Sequence, residues 1–285
     1  MQTWREFAAE FAGTALLLVI GLSAVVLDFA QGSPVPGWIP DGNLRRLLTG
    51  IVFAGGATLI VYSPLGKRSG GHINPAVTLG FLRLGKITRR SAAGYVAAQF
   101  LGALAGAAIV QLVWRRLATQ VDLGATIPGR GGWMASLIAE AAITFLLMTL
   151  ILRFVDDPRL MPFTPAAAGA LVAFLVFAEA PVSGTSLNPA RSLGPAVVSG
   201  DYRDLWLYLL APPLGALLAA ATYRRRRRTV RCGKLVHDDA YQCRFLDCQY
   251  TPPHERITGG RRGAHAARTP RRFRRERPDV VVAEA

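Results

Sequence analysis

The tripeptide Asn-Pro-Ala occurs twice, at Asn74-Pro75-Ala76 and Asn188-Pro189-Ala190, once in each half of the chain. Each copy follows a glycine-containing stretch (Gly70-Gly71-His72-Ile73 and Gly184-Thr185-Ser186-Leu187) and opens an apolar run too brief to cross a bilayer. Asparagine is a favoured helix N-cap, and proline suits the first helical position, where its missing N–H leaves no bond unmade. Each motif therefore predicts the start of a half-helix. Interrupted hydrophobic segments at matching places in two halves point to a site at the middle of a membrane.

The rest of the chain suits a bilayer. Hydrophobic residues make up 51 % of the 285, well above the share in an ordinary soluble domain. Six apolar stretches approach the roughly 20 residues that span a hydrocarbon core, near 7–27, 47–64, 91–114, 133–152, 165–180 and 205–223. The second and fifth are short, which tilt or local thinning absorbs. The first lacks the basic leader and cleavage site of a signal peptide, so it reads as a mature span. Lys67, Arg68, Arg83, Lys86, Arg89 and Arg90 lie between spans two and three, and Arg224 to Arg228 follow span six. The positive-inside rule places both groups, and hence both termini, in the cytoplasm. Segments 28–43 and 115–132 then face outward, the second against its three arginines.

The halves repeat. Tyr95-Val-Ala-Ala-Gln-Phe-Leu-Gly-Ala-Leu resembles Tyr208-Leu-Leu-Ala-Pro-Pro-Leu-Gly-Ala-Leu at an offset of about 113, and the two motif asparagines lie about 114 apart. Spans one and four share a Glu, a Thr and an apolar run (Glu10, Thr14; Glu140, Thr144). Three spans per repeat invert the second copy across the membrane, bringing the half-helices in from opposite faces. Each is about 11 Å long at 1.5 Å per residue, so tip to tip they supply about one crossing. The expected fold is an all-α membrane protein of six transmembrane helices and two half-helices in an inverted repeat. Its repeats cover about 6–116 and 131–223 of a domain spanning 1–223.

On these motifs, Ser69-Gly-Gly-His-Ile-Asn-Pro-Ala-Val-Thr and Thr185-Ser-Leu-Asn-Pro-Ala-Arg-Ser, the chain resembles the aquaporin and glycerol-facilitator (major intrinsic protein) family, bacterial aquaporins among them, over about residues 6–223. The resemblance implies a passive channel for water and small uncharged solutes and a homotetramer, while the Arg- and Ala-rich composition and compact loops suggest a multi-pass place in a bacterial inner membrane. Physically, two helix N-termini aimed at one point make a positive centre, each worth about half a charge, that repels cations. With their carbonyls held as caps, the Asn74 and Asn188 amides donate to a passing water and break the donor chain a proton needs. Unwound backbone at Gly70, Gly71, His72, Ile73, Gly184, Ser186 and Leu187 would line the path with carbonyls, tolerable at that depth only beside a cavity.

Arg191, an arginine in an apolar region, takes a functional reading by default. The resemblance assigns it to an outer selectivity filter with Thr185 and Val176. The fourth position is Ala54 by ungapped count, or Phe53 if one residue is inserted near Lys67-Arg68. Strict water channels typically carry His where Val176 stands, so Val and Ala would widen the filter towards glycerol or boric acid. Ser192 and Ala196 instead match the water type. The same resemblance makes Glu10 and Glu140 structural braces of the motif loops. His72 is expected in the cytoplasmic vestibule, with pH sensing the lesser reading. Gly102 and Gly106 have the small-xxx-small spacing of close helix contacts, within or between subunits.

The tail 224–285 differs in kind. By direct count, residues 223–285 hold about 17 basic and 7 acidic residues, without apolar periodicity, so disorder is expected. The arginine run would meet anionic lipid, in preference to nucleic acid. Cys232, Cys243 and Cys248 lack a Cys-x-x-Cys pair, so reduced thiols are expected, without metal or cofactor. No nucleophile–base pair or metal-ligand spacing in the spans suggests an enzyme. A secondary transporter (with Glu10 and Glu140 as its only candidate coupling acids) and a non-conducting scaffold are the lesser alternatives.

Overall fold

A computed structural model describes residues 3–226 and 230–250. They form helices joined by turns and loops. The long helices are α1 (Trp4–Phe29), α2 (Gly42–Tyr62), α4 (Arg89–Trp114), α5 (Gly132–Asp156), α6 (Thr164–Ser183) and α8 (Leu205–Arg225), with half-helices α3 (Pro75–Arg83) and α7 (Pro189–Ser199) between them. Six helices are long and apolar enough to cross a membrane. Each expected span coincides with one of them, and only the second overruns its helix, by Ser63 and Pro64. The helices mostly extend a few residues beyond the expected spans. Their backbone hydrogen bonds continue through polar flanks that a hydropathy window discards.

Sequence-local chemistry explains where α3 and α7 begin. Asn74 and Asn188 are extended residues whose side chains accept from the amides two residues on, Ala76 and Ala190, with Pro75 and Pro189 at the first helical position. α7 ends at Gly200, which takes the left-handed conformation that closes a helix.

The repeat survives in the packing. α1 packs on α4 as α5 packs on α8, α3 lies against α8, and α7 lies against α4. A Cβ on Gly102 would sit 2.3 Å from the Phe11 carbonyl, and one on Gly106 2.5 Å from that of Ala15. That stripe therefore serves contact inside the chain. Gly215 repeats it in the second half, 2.2 Å from the Ala141 carbonyl. Trp4, Trp38, Trp133 and Trp206 lie exposed near helix ends, where amphipathic rings suit the bilayer interface, and Leu59, Leu101, Leu112 and Leu218 project from the helix sides.

Disorder of the tail does not hold for 230–250. This segment packs on the end of the bundle near Glu6, Lys67 and Lys86, burying Val230, Cys232, Lys234, Leu235, Phe245 and Cys248. Composition misled because the segment forms neither helix nor strand and its apolar residues have no period. Their partners lie far off in the chain. Arg227 and Arg228 of the expected lipid anchor, and the tail from Thr251 on, lie outside the described residues.

Candidate functional site

A cavity of about 360 Å³ runs between the halves of the bundle. Near its middle the half-helix tips meet. The Asn74 side-chain amide donates to the Leu187 carbonyl, and that of Asn188 to the Ile73 carbonyl, both at 2.9 Å. With each carbonyl oxygen held by its own helix, at 2.8 Å from Ala76 N and 3.0 Å from Ala190 N, each amide keeps one N–H for the cavity both asparagines line. The other N–H of each amide ties the two repeats together.

The backbone before each motif is left-handed at matching places: Gly70 and Gly184, Gly71 and Thr185, Ile73 and Leu187, with φ between 41° and 100°. For the non-glycine residues each such turn costs of order 1 kcal/mol or more, and it persists only where the surroundings over-determine it. Here they do. Glu10, fully buried, accepts from His72 N (3.1 Å), Ile73 N (2.7 Å) and the Gln99 amide (2.7 Å). Glu140 accepts from Ser186 N (2.6 Å), Leu187 N (2.9 Å) and the Ser183 hydroxyl (2.7 Å). The Tyr95 hydroxyl donates to the Ser69 carbonyl at 2.5 Å, and that of Tyr208 to the Ser183 carbonyl at 2.6 Å. The expected carbonyl ladder is partly occupied, since Gly70, Ile73 and Leu187 already accept from protein donors.

At one end the cavity passes Arg191, Thr185, Val176, Phe53 and Ala54. Arg191 is buried at the start of α7. It donates to the Gly124 carbonyl at 2.8 Å and lies 5.5 Å above the Phe53 ring. Both Phe53 and Ala54 border the cavity. The Phe53 ring also lies against α1, where a Cβ on Gly21 would fall 2.2 Å from it. The Thr185 hydroxyl donates to the half-buried Glu179 carboxylate at 2.5 Å. Sequence reasoning missed Gly124, because a backbone acceptor in a loop carries no side-chain signal.

At the other end the cavity is lined by His72, Gly71 and Val61 and by Leu235 from the tail segment. His72 is buried against Phe81, its rings 4.9 Å apart and nearly parallel. Its Nε2 lies 2.9 Å from the Gly233 carbonyl and its Nδ1 3.1 Å from the Thr78 hydroxyl. A carbonyl only accepts, so Nε2 carries the hydrogen. The Leu235 amide donates to the Gly70 carbonyl at 3.0 Å, and the buried Lys234 ammonium donates to the Lys67 carbonyl at 2.6 Å. Lys67 and Asp238 pair at 2.9 Å, which holds the Asp238 carboxyl below its usual range. The three cysteines are free thiols gathered in one place: Cys243 Sγ and Cys248 Sγ each lie 3.5 Å from Cys232 Sγ. With His237, they hold their ligand atoms within 4.8 Å of one another.

The model of the family "Major intrinsic protein" matches residues 1–223. Among curated proteins, Aquaporin NIP3-1 of Arabidopsis thaliana is 37 % identical over 234 residues, covering 79 % of this chain and 68 % of that protein. The Glycerol uptake facilitator protein-like 6 of Lactiplantibacillus plantarum is 36 % identical over 225 residues, covering 76 % and 95 %. Among solved structures, the aquaglyceroporin from Plasmodium falciparum superposes with a TM-score of 0.64 at 22 % identity, over 77 % of this chain and 95 % of that one, a likeness of fold.

Proposed function

The chain belongs to the major intrinsic protein family, and on that footing we propose that it is a passive transmembrane channel for water and small uncharged solutes that excludes protons and ions. The observation that carries the reading is the meeting of Asn74 and Asn188 across the cavity, each with one N–H still available. A water reaching this point accepts from both amides, so both its hydrogens turn away and a proton cannot hop through. The half-helix N-termini add positive potential at the same place, and the Arg191 guanidinium adds a full charge further out.

The filter is the group Arg191, Thr185 and Val176 with Ala54 and Phe53 on the remaining wall. Val176 and Ala54 are small and apolar, which favours solutes larger than water. The names of the relatives above, an aquaporin and a glycerol uptake facilitator, span the same choice, with glycerol or a metalloid acid as the alternative permeant. The rule that basic loops stay inside supports a cytoplasmic position for the Lys67 face, and thus for both termini. A bacterial inner membrane and a homotetramer are the setting and assembly we adopt, and Arg224 to Arg228 would meet anionic lipid. No cofactor takes part in this passive mechanism.

Stopped-flow light scattering on proteoliposomes tests it. An osmotic step with an impermeant solute should shrink vesicles faster than empty liposomes, and glycerol or boric acid should then re-swell them. Shrinkage at the rate of empty liposomes, with the tail segment released, would refute the channel.

A further inference from the structure

We propose that Cys232, His237, Cys243 and Cys248 bind one zinc ion, and that this ion staples residues 230–250 into a plug across the pore mouth at His72. The plug rests on the channel reading; the metal site stands on its own geometry.

Four side chains of zinc-binding type converge from the sequence Cys232-x4-His237-x5-Cys243-x4-Cys248. Zinc in a tetrahedral site takes sulfur at about 2.3 Å, which sets neighbouring sulfurs about 3.8 Å apart. The two Sγ–Sγ distances of 3.5 Å fit that edge and are far too long for a disulfide bond of about 2.05 Å. Three sulfurs and one imidazole are the donor set of a closed structural site with no position left for water.

The surroundings match. His237 Nδ1 lies 3.4 Å from the Asp239 carboxylate, while Nε2 is buried with no nitrogen or oxygen partner among the described residues, and the ring interacts with the Cys243 and Cys248 sulfurs. A carboxylate behind one ring nitrogen and an unmet lone pair on the other is how a zinc-binding histidine is oriented. The Lys234 amide donates to Cys232 Sγ at 3.4 Å. Three thiolates and a dication leave one net negative charge, and Lys234, two residues from Cys232, holds its Nζ on the Lys67 and Tyr241 carbonyls at 2.6 and 3.2 Å.

The same short segment lines the cavity beside His72. Leu235 lines it, Gly233 accepts from His72, and Phe245 packs 5.4 Å from the His72 ring and 6.4 Å from Tyr95. A Cβ on Gly70 would lie 2.8 Å from Phe245, so the segment sits directly on the loop before the first motif. A segment of this length without helix or strand has little core of its own. A structural metal supplies the missing constraint, as it does in small domains that fold only when it is bound. Removing the ion should free the segment and open the mouth.

The test uses the full-length protein, kept reduced. Metal content after zinc loading should be one ion per chain, and cobalt should give the thiolate charge-transfer and tetrahedral bands of a site with three sulfur ligands and one nitrogen. Cys243→Ser, together with the milder His237→Asn, should lower zinc retention at least tenfold. In proteoliposomes, chelation should raise water permeability several-fold, and added zinc should reverse it. No stoichiometric metal and no cobalt–thiolate bands would overturn the site. Bound metal with equal permeability in zinc-loaded and chelated vesicles, both above empty liposomes, would overturn the plug. Bound metal with all vesicles as tight as empty ones, released variants such as Leu235→Ala/Phe245→Ala included, would overturn the channel reading and the plug with it, and leave the metal site standing.

Discussion

The two buried glutamates are surrounded by donors alone, the setting of an acceptor-only carboxylate. Glu140 meets two backbone amides and a hydroxyl, so the residue must accept at both oxygens. Glu140→Gln turns one acceptor into a donor that faces an N–H, and leaves a buried group unmet at about 1–3 kcal/mol. A lower thermal midpoint in detergent is the expected result, accompanied by looser Thr185 and Leu187, whose left-handed backbone the carboxylate holds. Arg191 makes a different kind of contribution. Its guanidinium is fixed by one carbonyl and one ring, and its charge stands in the cation path. Arg191→Val should leave water flow within a few-fold of wild type. It should raise the proton or cation leak, since each 1.4 kcal/mol taken off the barrier gives about a factor of ten; a pH-sensitive dye trapped in vesicles reads this directly.

At the scale of elements, what can be read from the sequence is what the chain encodes locally. An asparagine that caps its own helix two residues on, a proline after it and a glycine behind it are all contained in one short window, so α3 and α7 are predictable with their starting residues. The long helices follow from hydropathy alone. The braces at Glu10 and Glu140 are reached only by resemblance, because their partners lie 62 and 46 residues away in the chain. The Gly124 carbonyl and the docked tail segment are not legible at all: one is a backbone atom, and the other owes its order to a surface made by other elements. Glycines divide along the same line. Gly102 touches the Phe11 carbonyl, whereas nothing lies within 4 Å of a Cβ on Gly55. Gly102→Val should part α1 from α4 and abolish the monodisperse species on size exclusion. Gly55→Ala should be neutral or stabilise by up to about 1 kcal/mol, as removing a helical glycine does where space is open.

For the whole molecule, the question is what limits the size of a permeant, and two places compete. The middle is narrow by symmetry: the paired asparagines bond across the repeats, and neither can withdraw without breaking a hydrogen bond that holds the other half-helix. The filter is under no such constraint. Its wall at Val176 is a short side chain near Gly50, where an added Cβ would lie 3.1 Å from the Val176 Cβ, so α2 and α6 are already close and only the side chain sets the opening. A histidine there adds a ring on the cavity side and a second polar wall opposite Arg191. Val176→His should therefore cut glycerol and boric acid re-swelling by about tenfold or more, the effect of about 1.4 kcal/mol at a steric barrier, while water shrinkage falls much less. The measurement belongs in vesicles whose tail segment has been released by chelation, so that the mouth at Leu235 does not mask the filter. If neither solute nor water flow changes, the limiting constriction is the asparagine pair, and selectivity in this chain is set by the contact between its repeats.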